Sequence, residues 1–219
     1  MIRSLLPSAH RVRFAALVTV TGTLMIGTIA GCSGDSDSAS TTTTTTDGAT
    51  GDLATICSEV DLAPITKSAA DLKQAEVTLR AAAGNEAEFA SATVAFLGKG
   101  QIFFSSMATA LDPFFAGLAE ESGQSAIANV TDAFRSAAED FAALAPEIES
   151  AGRVTSADIT EIQSESAKFV KFAEYVNPGS PSGDALRQIP TCTTLMRNLD
   201  RATGAISAAD GKDELRWDN

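Results

Sequence analysis

The stretch from Ile127 to Ile148, IANVTDAFRSAAEDFAALAPEI, decides the fold class. Its apolar side chains recur three or four residues apart, at Ile127, Val130, Phe134, Ala137, Phe141, Leu144 and Ile148. This spacing places them along one face of an α-helix and leaves the charged side chains on the other faces. The stretch therefore predicts an amphipathic helix packed on a core. We expect Pro146 to kink or end this helix near Leu144.

Two further helices are predicted before this stretch. The first carries an apolar stripe at Leu72, Ala75, Leu79 and Ala82. The second begins after Gly84-Asn85, and its stripe consists of Phe89, Ala92, Phe96, Gly100, Phe103 and Met107. We expect it to end at Asp112-Pro113, where the proline can open a new short helix.

Two more helices are predicted after it. Thr155 and Asp158 have capping-box spacing ahead of a stripe at Ile159, Ile162, Phe169, Ala173 and Val176. Asn177-Pro178-Gly179 is expected to stop that helix. A last helix follows the connector at 178–183, with Cys192, Met196, Leu199 and Ile206 on one face. Alternating strand patterns are scarce. The prediction for residues 53–219 is an all-α fold, an antiparallel bundle of four to six helices.

The N-terminal segment, residues 1–31, has the layout of a secretory signal peptide. Arg3, Arg11 and Arg13 precede an apolar run over 14–30, and two small residues stand immediately before Cys32. The alternative is an uncleaved transmembrane anchor, since the run is near the lower limit of ~17 to 25 residues that span a bilayer. A plain anchor does not need the small residues and the cysteine, so we favour the signal peptide.

The run Ile29-Ala30-Gly31-Cys32 resembles the lipobox of bacterial lipoproteins. The resemblance implies that Cys32 receives a diacylglycerol and that the chain is cut just before it. Acyl chains such as palmitate would then anchor the mature protein to the cell membrane, on the extracytoplasmic side. The alanine-rich, lysine-poor composition and the threonine run at 41–46 are similar to those of actinobacterial envelope lipoproteins.

Residues 32–52 are predicted to be a lipidated cysteine and a disordered Ser/Thr/Asp linker. The segment 33–52 has no large apolar side chain to offset the cost of ordering its backbone. A flexible chain of this length spans about 25 Å. Removing residues 1–31, with three arginines and no acidic residue, changes the net charge from −12 to −15. Such an acidic surface repels nucleic acid, so no nucleic-acid partner is expected.

Two cysteines, Cys57 and Cys192, remain if Cys32 is acylated. An even number of cysteines in an exported protein predicts a disulfide, here one that brackets most of the domain. Zinc is a weak alternative because a site takes about four ligands, and a redox pair normally has a short Cys-x-x-Cys spacing.

The side chains that support enzymatic chemistry are scarce. His10, the only histidine, lies in the predicted signal peptide, which argues against histidine-dependent catalysis and against imidazole-held metals or haem. No cofactor or metal site is expected. The acidic groups Glu120-Glu121, Glu139-Asp140 and Glu147-x-Glu149 leave a carboxylate mechanism open in principle, but adjacent helical residues point about 100° apart and do not readily form a site. Glu139 and Asp140 fall opposite and beside the apolar stripe, so we favour a solvated face.

The pairs Phe103-Phe104 and Phe114-Phe115 flank the helix break expected at Asp112-Pro113, where one ring of each pair is expected to face inward and the other outward or across. They allow two interpretations. They fill the core, which is the commoner use of such residues, or they line a cavity for an apolar ligand. Trp217 similarly either anchors a partner or, as we favour, docks on its own bundle or stays disordered. The predicted function is a non-enzymatic binding or interaction module for an envelope protein. The alternative is a carrier or sensor of a lipid or other apolar ligand.

Overall fold

The computed structural model describes residues 47–207 and residue 217. No β-strand occurs between residues 47 and 207, which confirms the all-α prediction. The seven helices of this segment are α1 (Asp47–Glu59), α2 (Ala63–Ala81), α3 (Glu86–Ser122), α4 (Ser125–Ala151), α5 (Ser156–Val176), α6 (Pro181–Arg187) and α7 (Pro190–Ser207). The number exceeds the predicted four to six because two short helices, α1 and α6, begin in segments predicted to be linker and connector.

Helix α1 begins at Asp47, so residues 47–52 are helical although the sequence analysis placed them in the disordered linker. The helix is held by packing at its C-terminal half. Leu53 and Cys57 are buried, and Ile56 and Leu53 lie against Gly117 of α3. A Cβ atom on Gly117 would lie 2.9 Å from Cδ1 of Ile56, so the glycine lets the two helices approach closely.

Helix α3 is the centre of the bundle. It contacts α1, α2, α4 and α6, and its ring at Phe103 meets Phe169 of α5. Among the described residues α3 is the one helix long and apolar enough to cross a membrane by length and composition. Thirteen of its residues are buried inside the bundle. The apolar residues of α3 therefore form the centre of the domain's core.

Helices α3 and α4 form an antiparallel pair joined by Gly123 and Gln124. Gly123 has a φ of 66°, a left-handed conformation that glycine adopts without a steric penalty and that ends α3. Late positions of α3 meet early positions of α4, since Asp112 pairs with Arg135 at 3.1 Å, whereas Gly100 lies against Phe141.

The stripe that predicted α4 is buried along its whole length. All seven members, Ile127, Val130, Phe134, Ala137, Phe141, Leu144 and Ile148, are buried. The predicted start signals are also confirmed. Asn85 caps α3 by accepting hydrogen bonds from the N–H groups of Ala87 and Glu88, and Thr155 and Asp158 form the capping box of α5.

The predicted end of α3 at Asp112-Pro113 is wrong. Of the two alternatives for Pro146, a kink or a helix end near Leu144, the helix end is wrong. Helix α3 continues through Pro113 to Ser122, and α4 continues through Pro146 to Ala151. An internal proline costs about 3 kcal/mol. Beyond Pro113, however, α3 buries Phe114, Phe115 and Leu118, and each such side chain contributes about 1.5 to 3 kcal/mol. Burial on both sides of the proline therefore outweighs the lost hydrogen bond.

Candidate functional site

The predicted acylation site, Cys32, lies outside the described residues, together with the signal peptide and residues 33–46 of the linker. The remaining predicted site residues lie within them. They fall into the cysteine pair, the phenylalanines and the acidic groups.

The predicted disulfide is confirmed. Cys57 of α1 is bonded to Cys192 of α7, with their Cα atoms 5.0 Å apart. Both side chains are buried. Beside the disulfide, the hydroxyl of Thr191 donates a hydrogen bond to the carbonyl of Ala54 at 3.0 Å. The first and last helices of the described segment are therefore joined covalently and by a hydrogen bond at one place.

A pocket of about 450 Å³ lies next to this disulfide. It is formed by the end of α1, the α1–α2 connection and the exposed side of α7. Its lining combines apolar side chains with hydroxyl and amide groups, and the residues are Cys57, Ser58, Val60, Leu62, Pro190, Thr191, Thr194, Leu195 and Asn198. None of these residues carries a charge, so the pocket offers hydrogen bonds and apolar contact only.

The four candidate ligand-lining phenylalanines are all buried, with exposed fractions of 0 to 3%. The pairs do not flank a helix break, because α3 is continuous through Pro113. Phe103 and Phe104 contact each other with ring centroids 5.5 Å apart, and Phe114 and Phe115 do so at 5.3 Å. All four rings thus point inward, rather than one of each pair facing outward.

These rings belong to one continuous aromatic cluster. Its eight members, linked by ring contacts, are Phe103, Phe104, Phe114, Phe115, Phe134, Phe141, Phe169 and Phe172. Phe172, which the sequence stripe omitted, is fully buried and contacts both Phe115 and Phe134. Its signal was present, since Phe172 stands three residues after Phe169 and four before Val176. Each ring packs against at least one other ring, as in a packed core.

The acidic groups lie on the surface with one exception. Glu120 is exposed, but Glu121 is half-buried, and its Oε2 is buried without a hydrogen-bond partner among the described residues, so the expectation of a solvated face is wrong for Glu121. Glu139 is exposed, and Asp140 accepts hydrogen bonds from Ser136 and from Lys168 of α5. Glu147 and Glu149 are also exposed. Within the part of the chain that the structure describes, no three His, Cys, Asp or Glu side chains are grouped so that they could hold a metal ion.

One carboxylate connects two helices. Asp71 of α2 accepts hydrogen bonds from Lys67 at 3.0 Å and from Lys99 of α3 at 3.4 Å. These hydrogen bonds and the two positive charges lower the pKa of Asp71 below its usual value. The group is partly exposed, so it marks the α2–α3 contact and does not form a chemical site.

Trp217 is docked on the bundle. Its side chain is 3% exposed, and its indole N–H donates to the carbonyl of Val176 at 3.1 Å. Its backbone N–H donates to a carboxylate oxygen of Asp200 at 2.7 Å, and its carbonyl accepts from Arg197 at 3.3 Å. Of the three alternatives for the tryptophan, docking on its own domain is the one found in the structure.

A scan of protein-family models, a search of curated proteins and a search of solved structures each found no match to this chain.

Proposed function

We propose that this chain is a lipid-anchored, extracytoplasmic protein whose helical domain is a non-enzymatic binding or interaction module. The proposed lipid anchor rests on the run Ile29-Ala30-Gly31-Cys32, which ends an N-terminal segment that is first basic and then apolar. A lone transmembrane anchor gives no reason for that cysteine.

The disulfide supports the proposed compartment. Structural disulfides persist in oxidising environments outside the cytoplasm and are rare inside it. Cys57 and Cys192 are buried and far apart in sequence, as expected of a structural bond. The membrane would be contacted through the acyl chains on Cys32, and an acidic domain beyond it would meet envelope proteins and not nucleic acid.

The ring contacts favour an interaction module over a carrier of apolar ligands. A carrier needs an unfilled apolar space, whereas Phe104 and Phe115 already have neighbouring rings on several sides. The absence of histidine after residue 10 supports a non-enzymatic role, because the commonest general base and metal ligand is missing from the mature chain.

Metabolic labelling with a fatty-acid probe tests the anchor. The full chain is expressed in a bacterium that processes lipoproteins, as the wild type and as Cys32→Ala. The wild type should incorporate the probe and lose residues 1–31, and Cys32→Ala should do neither. Cys57→Ser is the matched control and should be labelled like the wild type. Equal labelling of Cys32→Ala and the wild type would overturn the proposed anchor.

A further inference from the structure

The two cysteines of the disulfide differ in their access from the pocket beside it. Cys57 lines the pocket of about 450 Å³, whereas Cys192 is not among its lining residues. Cys57 is 4% exposed and Cys192 is 0% exposed. Cys192 faces the interior of the bundle, since the carbonyl oxygen of the buried Leu53 lies 3.6 Å from its Sγ atom. A molecule that enters the pocket therefore reaches Cys57 before Cys192.

The two cysteines also lie at opposite kinds of helix end. Cys192 is the third residue of α7, which begins at Pro190, so it lies in the first turn, where the backbone N–H groups favour negative charge. Cys57 is the third residue from the end of α1, which ends at Glu59, so it lies in the last turn, where the carbonyl groups disfavour negative charge. A thiolate is therefore stabilised at Cys192 and destabilised at Cys57.

These two differences act in the same direction during thiol–disulfide exchange. Exchange begins when a thiolate attacks one sulfur atom of the disulfide and the other sulfur atom leaves as a thiolate. Its rate depends on access to the attacked sulfur and on the stability of the leaving thiolate. Access from the pocket favours attack at Cys57, and the helix ends favour departure of Cys192.

The lining of the pocket determines which thiols it fits. It combines apolar side chains, such as Val60, Leu62 and Leu195, with polar groups, such as Ser58 and Asn198, and it carries no charge. A charged molecule would lose hydration there without gaining an ionic partner. The volume of the pocket lies within the range of small-molecule sites, about 300 to 1,000 Å³. The pocket is therefore suited to a small, uncharged thiol.

We propose that Cys57 is a modification site at which a small, uncharged thiol opens the disulfide, with Cys192 as the leaving group. The incoming thiolate attacks Sγ of Cys57, the bond between the two Sγ atoms breaks, and a mixed disulfide forms on Cys57. The electron pair of the broken bond stays on Cys192, so the incoming thiol is oxidised and Cys192 is reduced to a thiolate. Attack by this thiolate on the mixed disulfide expels the thiol and restores the original bond. The modification is therefore reversible, and it is independent of the proposed lipid anchor.

Mapping of the mixed disulfide tests the proposal. The full chain carrying Cys32→Ala, in which Cys57 and Cys192 are the remaining cysteines, is treated with β-mercaptoethanol. Acid stops the exchange at intervals, and peptides from digestion with pepsin at low pH are analysed by mass spectrometry. The adduct on Cys57 should exceed that on Cys192 by about tenfold or more, since access and leaving-group stability act together. In concentrated urea both cysteines are accessible, so the two adducts should differ by no more than a few-fold.

The rate of disulfide loss provides a second readout. Thr194→Trp places a large side chain in the pocket and should slow the reaction of the folded chain with β-mercaptoethanol several-fold. Thr78→Trp is the matched control and should react like the parent chain. Thr78 and Thr194 are both exposed helical threonines whose hydroxyl donates to the carbonyl four residues earlier. In urea all three chains should react at the same rate.

An excess of adduct on Cys192, or equal adducts on both cysteines of the folded chain, would overturn the proposal. Where neither adduct accumulates, the rates decide, and a reaction of Thr194→Trp as fast as that of Thr78→Trp, or faster, would contradict entry through the pocket. Equal rates of the folded chain with β-mercaptoethanol and with the anionic mercaptoethanesulfonate would contradict the selection of an uncharged thiol. None of these measurements involves acylation of Cys32, so failure of this proposal and failure of the proposed anchor are distinguishable.

Discussion

Gly100 of α3 lies directly against the ring of Phe141 in α4. A Cβ atom on Gly100 would be 2.4 Å from both Cδ2 and Cε2 of that ring, a distance at which atoms overlap. The ring has little room to move, because it is buried and meets Phe104 with centroids 5.6 Å apart. The missing side chain at Gly100 therefore sets how closely the two longest helices of the described segment approach.

Replacing Gly100 by alanine should destabilise the domain relative to the same change at Gly98. Both glycines lie inside α3 and both substitutions gain about 1 kcal/mol of helix propensity. A Cβ on Gly98 meets no atom within 4 Å, so Gly98→Ala should be stabilising. Gly100→Ala adds overpacking, and its free energy of unfolding should be lower than that of Gly98→Ala by about 1 to 3 kcal/mol. Urea denaturation measures the difference. Equal stabilities of the two variants would contradict the prediction and show that α4 moves to accommodate the added methyl group next to Phe141.

Truncating Phe134 or Phe141 should cost much more than truncating Glu139. Both rings are buried in the aromatic cluster, so Phe134→Ala or Phe141→Ala should lower the free energy of unfolding by about 3 to 5 kcal/mol. Glu139 is exposed on the same helix, and Glu139→Ala should stay within about 0.5 kcal/mol of the wild type. Near-native stability of the phenylalanine variants with loss of a copurifying lipid would instead favour the carrier hypothesis.

Loss of the disulfide should lower stability by about 2 to 5 kcal/mol in Cys57→Ser or Cys192→Ser. Thiol titration checks the bond itself in a Cys32→Ala background, where two cysteines remain. The denatured, unreduced chain should show no free thiol, and reduction should release two. As a control, reductant should destabilise the parent chain about as much as either substitution does. Two free thiols before reduction would contradict the bond.

The regular parts of the fold were predictable because their signal is local. Every member of the α4 stripe is buried, and the Thr155–Asp158 capping box forms as its spacing indicates. The helix ends predicted at the prolines were wrong because that rule considers only the local sequence. Whether a helix continues past a proline depends on the apolar side chains that it buries beyond the proline. Phe172 was missed although its spacing to Phe169 and Val176 fits the stripe, because the stripe runs through the adjacent Ala173, and both residues are buried. Helix α5 packs on both α3 and α4, so its buried face is wider than one stripe.

The candidate sites were predictable only where counting or composition sufficed. The cysteine pair followed from the two cysteines that remain after Cys32 in a chain predicted to be exported. The place where Trp217 docks was not predictable, because a single residue has no periodicity and its contact at Val176 lies 41 residues away in sequence. The pocket beside the disulfide likewise joins the α1–α2 connection to α7, which no local pattern indicates.

The bond between Cys57 and Cys192 also determines how the chain responds to mechanical tension. It closes a loop with a sequence separation of 135, and α2 to α6 lie inside this loop. A pull applied to the two chain ends passes from α1 across the sulfur atoms to α7 and bypasses the segment between them. The disulfide thereby prevents roughly 450 to 490 Å of chain from extending under the applied force. A domain held by its N-terminal side could lose its outermost turns under load and still keep its aromatic cluster folded until the disulfide is reduced.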